Sequence, residues 1–345
     1  MRSKSEIGSR KSEGNQRSRK RRYFRLSTFD FLLGSAVALG VLCGTASGQT
    51  YPVKPVRILV GFAGGSELTA RMIAQLLSPA LGQQVYVEPR MGAAGNIAFD
   101  AAAKSPADGY TLLMGAVPLL TNQLIYPKVT YDPIRDFTPI VLLQTIPNGL
   151  FLHPTVPAKT LKELVQLARK APGKIAYGSG GVGSANHIAA AFLESLAKVK
   201  FTHVPYKTAS LGLVGAMSGD VDMVITVVSS GVSYVKDGRM RGIVVMDAKR
   251  SQSMPDMPTS GEAGMPELLA VNWYALMAPA GTPRAIVERL HVESVKVMSP
   301  PEVQSRMRAM GGEPEARNPD QTAAFLRGEY ARWGKVIREA GIKGE

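Results

Sequence analysis

The feature that most constrains this chain of 345 residues is an alternation of short β-rich apolar runs with helical patterns. Val53–Phe62 predicts a strand, and Thr69–Leu81 a helix with Gly82 as its stop signal. Val85–Val87 reads as a strand, Asn96–Lys104 as a helix and Thr111–Gly115 as a strand. A proline-rich stretch, Tyr126–Pro157, interrupts the pattern. It resumes with Leu161–Lys170 helical, Lys174–Gly178 extended, Ser184–Ala197 helical, and Phe201–Tyr206 and Val221–Thr226 as strands. From Pro283 onward the chain reads as helices starting at or near Pro283, Pro301 and Pro319. Strand–helix–strand order implies an α/β fold with mostly parallel sheets covered on both faces.

Sheets of that kind bind ligands beyond the carboxyl ends of their strands, where loops meet helix N-termini. The loops to weigh therefore follow Phe62, Gly115, Gly178 and Thr226. The first reads Gly61-Phe62-Ala63-Gly64-Gly65-Ser66-Glu67. Its glycines allow close backbone approach, and a helix start offers unpaired N–H groups to an anion. The same residues also fit a plain strand-to-helix turn. The second reads Gly178-Ser179-Gly180-Gly181-Val182-Gly183-Ser184 and contains a G-x-G-x-x-G match. A dinucleotide site wants an acid about 20 residues on. Here that neighbourhood holds His203 and no acid. Ser184 is placed to cap the following helix.

Catalytic groupings are scarce. The four histidines, His153, His187, His203 and His291, show no metal-ligand spacing, and no G-x-S-x-G elbow occurs. Ser184 and His187 lie three apart, which reads as a first-turn histidine packing near the loop in preference to a nucleophile and its base. Trp273 reads equally as a pocket wall or as core packing. The expectation is a protein that is not an enzyme and uses no cofactor or metal.

The N-terminus changes the reading of charge. Ten basic residues lie between Arg2 and Arg25, followed by an apolar run, Phe31 to Leu42, and the small residues Ala46-Ser47-Gly48. The run is too short for a membrane span, which needs about 20 residues. The order is that of a secretory signal peptide over residues 1–48. Arg21-Arg22-Tyr23-Phe24 is close to a twin-arginine signal, so Sec and twin-arginine export both stay open. Of the formal charge of +14, the segment carries ten basic and three acidic residues, leaving 31 against 24, or +7. That weakens a nucleic-acid reading, and none is expected. Cys43 is the only cysteine, so the mature chain has none to form disulfides.

The chain resembles the substrate-binding proteins of tripartite tricarboxylate transporters, the Bug or TctC-like family. The likeness runs from Tyr51 to about Lys343. It is carried by Tyr51-Pro52-Val53-Lys54-Pro55-Val56-Arg57, Gly64-Gly65, Arg90-Met91-Gly92-Ala93-Ala94-Gly95-Asn96 and Asp108-Gly109-Tyr110-Thr111-Leu112-Leu113. Val156-Pro157-Ala158-Lys159-Thr160, the Tyr177–Ser184 loop, His203-Val204-Pro205-Tyr206-Lys207, Trp273 and Ala278-Pro279-Ala280-Gly281-Thr282-Pro283 complete it.

The resemblance implies a periplasmic-binding-protein type II fold, with two α/β lobes and a hinge. Residues 51–150 with 272–345 would form lobe 1, and 151–271 lobe 2. It implies a monomer in the periplasm that captures a small carboxylate and delivers it to transporter membrane subunits. Feeding a sensory receptor remains an alternative, as does the less favoured nucleotide-binding enzyme. The ligand-contacting residues would be Phe62, Ala63, Gly64, Gly65, Ser66 and Glu67 of the first loop, then Ala116. Ser179, Gly180, Gly183 and Ser184 would act from the second loop, with His187, Tyr206, Thr226 and Trp273 around them. Three departures from the family pattern stand out. The first loop is about two residues shorter with Glu67 near the usual Asp, and Thr208 and Leu211 replace the usual Gly and Pro.

Overall fold

A computed structural model describes residues 51–343. The expected signal segment, with Cys43 and the arginine pair, lies outside the described residues.

The first half of the sequence pattern folds as expected. Strands β1 (Val56–Val60), β2 (Val85–Pro89) and β3 (Thr111–Gly115) are parallel neighbours in the order β2-β1-β3. Helices α1 (Gly65–Leu81) and α2 (Asn96–Ala103) follow the first two, and an unforeseen helix α3 (Val117–Ile125) follows the third. Helix α1 starts four residues earlier than the periodicity predicts, because Gly64 makes the turn at φ 85° and leaves no loop beyond it. It ends at Gly82, which supplies the left-handed C-cap.

The middle segment repeats the scheme. Helix α4 (Leu161–Lys170) is capped by the Thr160 hydroxyl, which accepts from the Glu163 N–H. Then come β5 (Ala176–Ser179), α5 (Ala185–Ala197), β6 (Thr202–Pro205), α6 (Ala209–Ser218), β7 (Met223–Val227) and α7 (Val228–Lys236). Strand β5 is parallel to both β6 and β7.

The two parts are joined by a strand that the proline-rich reading missed. Strand β4 (Phe137–Leu152) runs 16 residues. Its first part pairs antiparallel with β9 (Val271–Pro279), and its last five residues pair with β7 and β8 (Arg241–Val245). Pro139 sits at a register shift, and Pro147 sits where β4 changes partners, so neither missing N–H breaks a ladder. The expectation of mostly parallel sheets therefore fails. Four strand pairs are parallel and five are antiparallel, and β4 or β9 takes part in all five.

Helices α8 (Arg284–Met298), α9 (Pro301–Ala309) and α10 (Pro319–Ala340) close the chain, with an unforeseen strand β10 (Glu313–Arg317) against β4. Asn318 and Gln321 form a capping box at the start of α10, next to Pro319. This helix serves two cores. Leu326 joins the cluster of Phe99, Leu113 and Trp273, whereas Trp333, Val336 and Ile337 join that of Leu152, Ile188 and Met223. Among the described residues no helix is long and apolar enough to cross a membrane.

Candidate functional site: two glycine loops at the strand crossover

Five helices begin where strands β1, β3, β5, β6 and β7 end. Each presents first-turn N–H groups that its own backbone leaves unpaired. The loops at these starts carry one charged side chain before the helix proper, Lys207.

The first loop is set by contacts of glycine with backbone and with tyrosine. A Cβ on Gly61 would lie 2.9 Å from the Gly95 Cα, so the chain at Gly61 rests directly on the 92–95 turn. Gly92, Ala93, Ala94 and Gly95 all have positive φ. The buried Asn122 of α3 fixes this turn, donating to the Ala94 carbonyl at 2.7 Å and to Asn96 Oδ1 at 2.9 Å. Phe62 packs its ring on Phe99, with centroids 6.1 Å apart. Ala63, Gly64 and Gly65 are exposed, and the Ser66 hydroxyl is buried and donates back to the Phe62 carbonyl at 2.9 Å.

Glu67 is not a loop acid. It stands in the first turn of α1, and Arg71 donates to its Oε1 from Nε at 3.0 Å and from Nη2 at 2.6 Å. Its charge is met both by the helix N-terminus and by Arg71. An unpaired acid there would repel an anionic ligand, and this pairing reduces that repulsion.

Trp273 packs in the core. It is fully buried and meets Phe325 edge-on at 6.1 Å, which decides between the two readings of this residue. Its neighbour Tyr274 faces the other side of β9, where a Cβ on Gly65 would lie 2.7 Å from the tyrosine hydroxyl. Tyr274 thus sits at the start of α1, and burial pushes its phenol up to about 12. Strand alternation separates the two aromatics, but sequence does not say which faces the loop.

The second loop is braced by side chains. The fully buried Ser179 accepts from the Gly181 N–H at 3.0 Å, lies 3.2 Å from the Gly181 carbonyl and 2.6 Å from His203 Nε2. The Gly183 N–H donates to His187 Nδ1 at 3.0 Å. Ser184 caps α5, its hydroxyl accepting from the His187 N–H at 3.4 Å. The rings of His187 and His203 stack with centroids 4.1 Å apart, and Tyr177 stacks on His203 at 4.9 Å. Burial, then the neighbouring His203, holds His187 down to about 4. His187 is thus a first-turn residue packing on the loop, and Ser179 is spoken for internally.

The remaining candidates lie around these loops. Ala116 is the buried N-cap of α3. Thr226 is a buried residue of β7 paired with Gly149. The Tyr206 hydroxyl lies against α6, where a Cβ on Gly215 would be 2.2 Å away, so the side chain turns towards the helix. Gly180 abuts the Ala209 N–H at the start of α6. The two halves meet at Gly183, where a Cβ would lie 3.3 Å from Ile125 at the end of α3. They meet again at Gly311, which lies on Ser229 in the first turn of α7.

A separate crevice of about 670 Å3 is bordered by Thr145, Pro147, Asp247, Lys249, Glu313, Glu315, Arg317 and Arg332, and by none of the loop candidates. Burial raises Asp247 and Glu313 from their ordinary values. Among the described residues no group of three or more His, Cys, Asp or Glu is arranged to hold a metal.

Residues 69–342 match the family described as "Tripartite tricarboxylate transporter family receptor". The chain belongs to that family. As a receptor of this family it is a periplasmic solute-binding protein and not an enzyme. It is 31% identical to BugT of Bordetella pertussis over 90% of this chain and 97% of the relative. Its fold is similar to that of R. palustris Rpa4515 with adipate, at TM-score 0.74 and 33% identity over 85% of this chain and 99% of that one. It also matches MatC from Rhodopseudomonas palustris with bound malate, at TM-score 0.71 and 30% identity over 83% and 100%. The receptor therefore has the two-lobed type II periplasmic-binding-protein fold.

Proposed function

We propose that the receptor captures a small carboxylate between its two glycine loops and closes its lobes around it. The observation that carries this reading is the convergence of helix N-termini on one region through loops with almost no charged side chains. Such a site offers N–H groups and partial positive charge to an anion without a fixed counter-ion. Bound adipate and malate in the two structural relatives support the same ligand class. The lobes would be residues 51–147 with β9, α8, α9 and β10, and the middle segment from Asn148, with α10 lying across both. The exposed loops Ala63–Gly65 and Val182 would contact ligand, with Ser179, His187 and Trp273 supporting from behind.

Capture shifts the open–closed equilibrium only as far as ligand prefers the closed form. The closed lobes would present a surface to transporter membrane subunits, with the receptor acting as a monomer after removal of residues 1–48 by either export route. Calorimetric titration of the mature protein with mono-, di- and tricarboxylates tests the reading. At least one acid should bind more tightly than about 1 mM, near −4 kcal/mol. Failure of the whole panel would sink it.

A further inference from the structure

We propose that His187 is a positioning residue for ligand capture: its imidazole presets the second glycine loop by accepting the Gly183 N–H, with the stacked His203 as backing. This deepens the proposed carboxylate function and rests on it.

Hydrogen-bond accounting fixes the arrangement. A backbone N–H can only donate, so the Gly183 bond requires an unprotonated Nδ1 on His187 and leaves its ring proton on Nε2. Ser179 has one hydroxyl proton and two lone pairs. If that proton goes to the Gly181 carbonyl, the lone pairs accept from the Gly181 N–H and from His203 Nε2. The Ser179 hydroxyl and the N–H groups of Gly181 and Gly183 are then all paired with both histidines neutral. The loop backbone is thus held at two points, Gly181 by Ser179 and Gly183 by His187.

The rings facing His187 and its loop are uncharged in this arrangement. His203 from β6 stacks on His187 within 5° of parallel, and Tyr177 from β5 stacks beside both, 4.9 Å from His203 and 6.5 Å from His187. The hydroxyl of Tyr126, beyond α3, lies 3.6 Å from a Cβ built on Gly183. A protonated His187 would turn its acceptor into a donor aimed at another donor. Gly183 matters because it is where the loop meets α3 of the other half, so a displaced Gly183 changes the width of the cleft.

Two variants separate positioning from direct ligand contact. His187→Asn keeps an acceptor near the Nδ1 position and loses the Nε2–H, whereas His187→Leu loses both. Two readouts apply to the mature protein: amide exchange at Gly183 without ligand, and calorimetric affinity for adipate as the probe. His187→Asn should stay within about threefold of wild type in both, whereas His187→Leu should exchange about tenfold faster and bind about tenfold more weakly. Both variants should melt close to wild type. An unchanged His187→Leu, or a His187→Asn that falls with it in affinity, overturns the proposal. If His187→Leu does not fold, the ring 15N shifts of wild type decide: a proton on Nε2 supports the proposal and one on Nδ1 overturns it. If wild type binds no carboxylate, the proposed function fails, and the Gly183 exchange comparison alone decides whether His187 sets the loop.

Discussion

Loops Gly61–Glu67 and Gly178–Ser184 both carry a strand into a helix, but they are held by different means. In the first, the constraint is spatial: Gly61 rests on the Gly95 backbone, and Gly65 leaves room for the Tyr274 hydroxyl. In the second, side chains hold the backbone, with Ser179 bonded to Gly181 and His187 to Gly183. The first loop should therefore respond to added volume, and the second to lost hydrogen bonds and to protons.

The largest effect should come from volume. Gly61→Ala places a methyl against backbone that cannot swing aside, and should cost about 2–3 kcal/mol in urea unfolding. An unchanged midpoint would show that the 92–95 turn yields. Next comes Ser179→Ala, which leaves the half-buried Gly181 N–H and His203 Nε2 without their partner. It should cost about 1–3 kcal/mol, while a loss below about 0.5 would mean that water replaces the hydroxyl.

The third effect appears only in acid. Because the folded protein holds His187 down to about 4 from 6.5, unfolding takes up a proton as the pH drops between those values. Its neutral form is tolerated at no cost above about pH 6.5. Below that, stability falls until the pH passes the folded value. The melting temperature of wild type should thus fall relative to that of His187→Asn as the pH drops from about 6.5 to about 4; a constant difference contradicts it. The smallest effect is Glu67→Gln. Its pair with Arg71 is half exposed on the arginine side, so stability should change by at most about 0.5 kcal/mol. A larger loss would mean that Glu67 has a second task in the first loop.

Much of this contrast was legible in sequence, though unevenly. Strand β3 and helix α4 occupy their predicted limits, because caps and charged ends mark α4 and the apolar run Leu112-Leu113-Met114 marks β3. Strand β4 was hidden by Pro139 and Pro147, whose cost vanishes at a register shift and a partner change that only tertiary pairing creates. Without β4 and β9, the antiparallel half of the pairing was invisible. The glycine loops were visible as loops, and His187 as a residue packing beside one of them. Tyr274 was passed over for Trp273 because the facing of a strand buried on both sides leaves no alternation to read. The pairing of Glu67 with Arg71 depended on α1 starting at Gly65, a boundary that its exposed first turn conceals.

The central claim is that ligand lies between the two loops. Amide hydrogen exchange with and without the tightest-binding carboxylate tests it most directly. The account predicts added protection at both Ala63–Glu67 and Gly180–His187 in the same complex. Protection confined to one loop, or moved to the crevice lined by Asp247, Glu313 and Glu315, would contradict it.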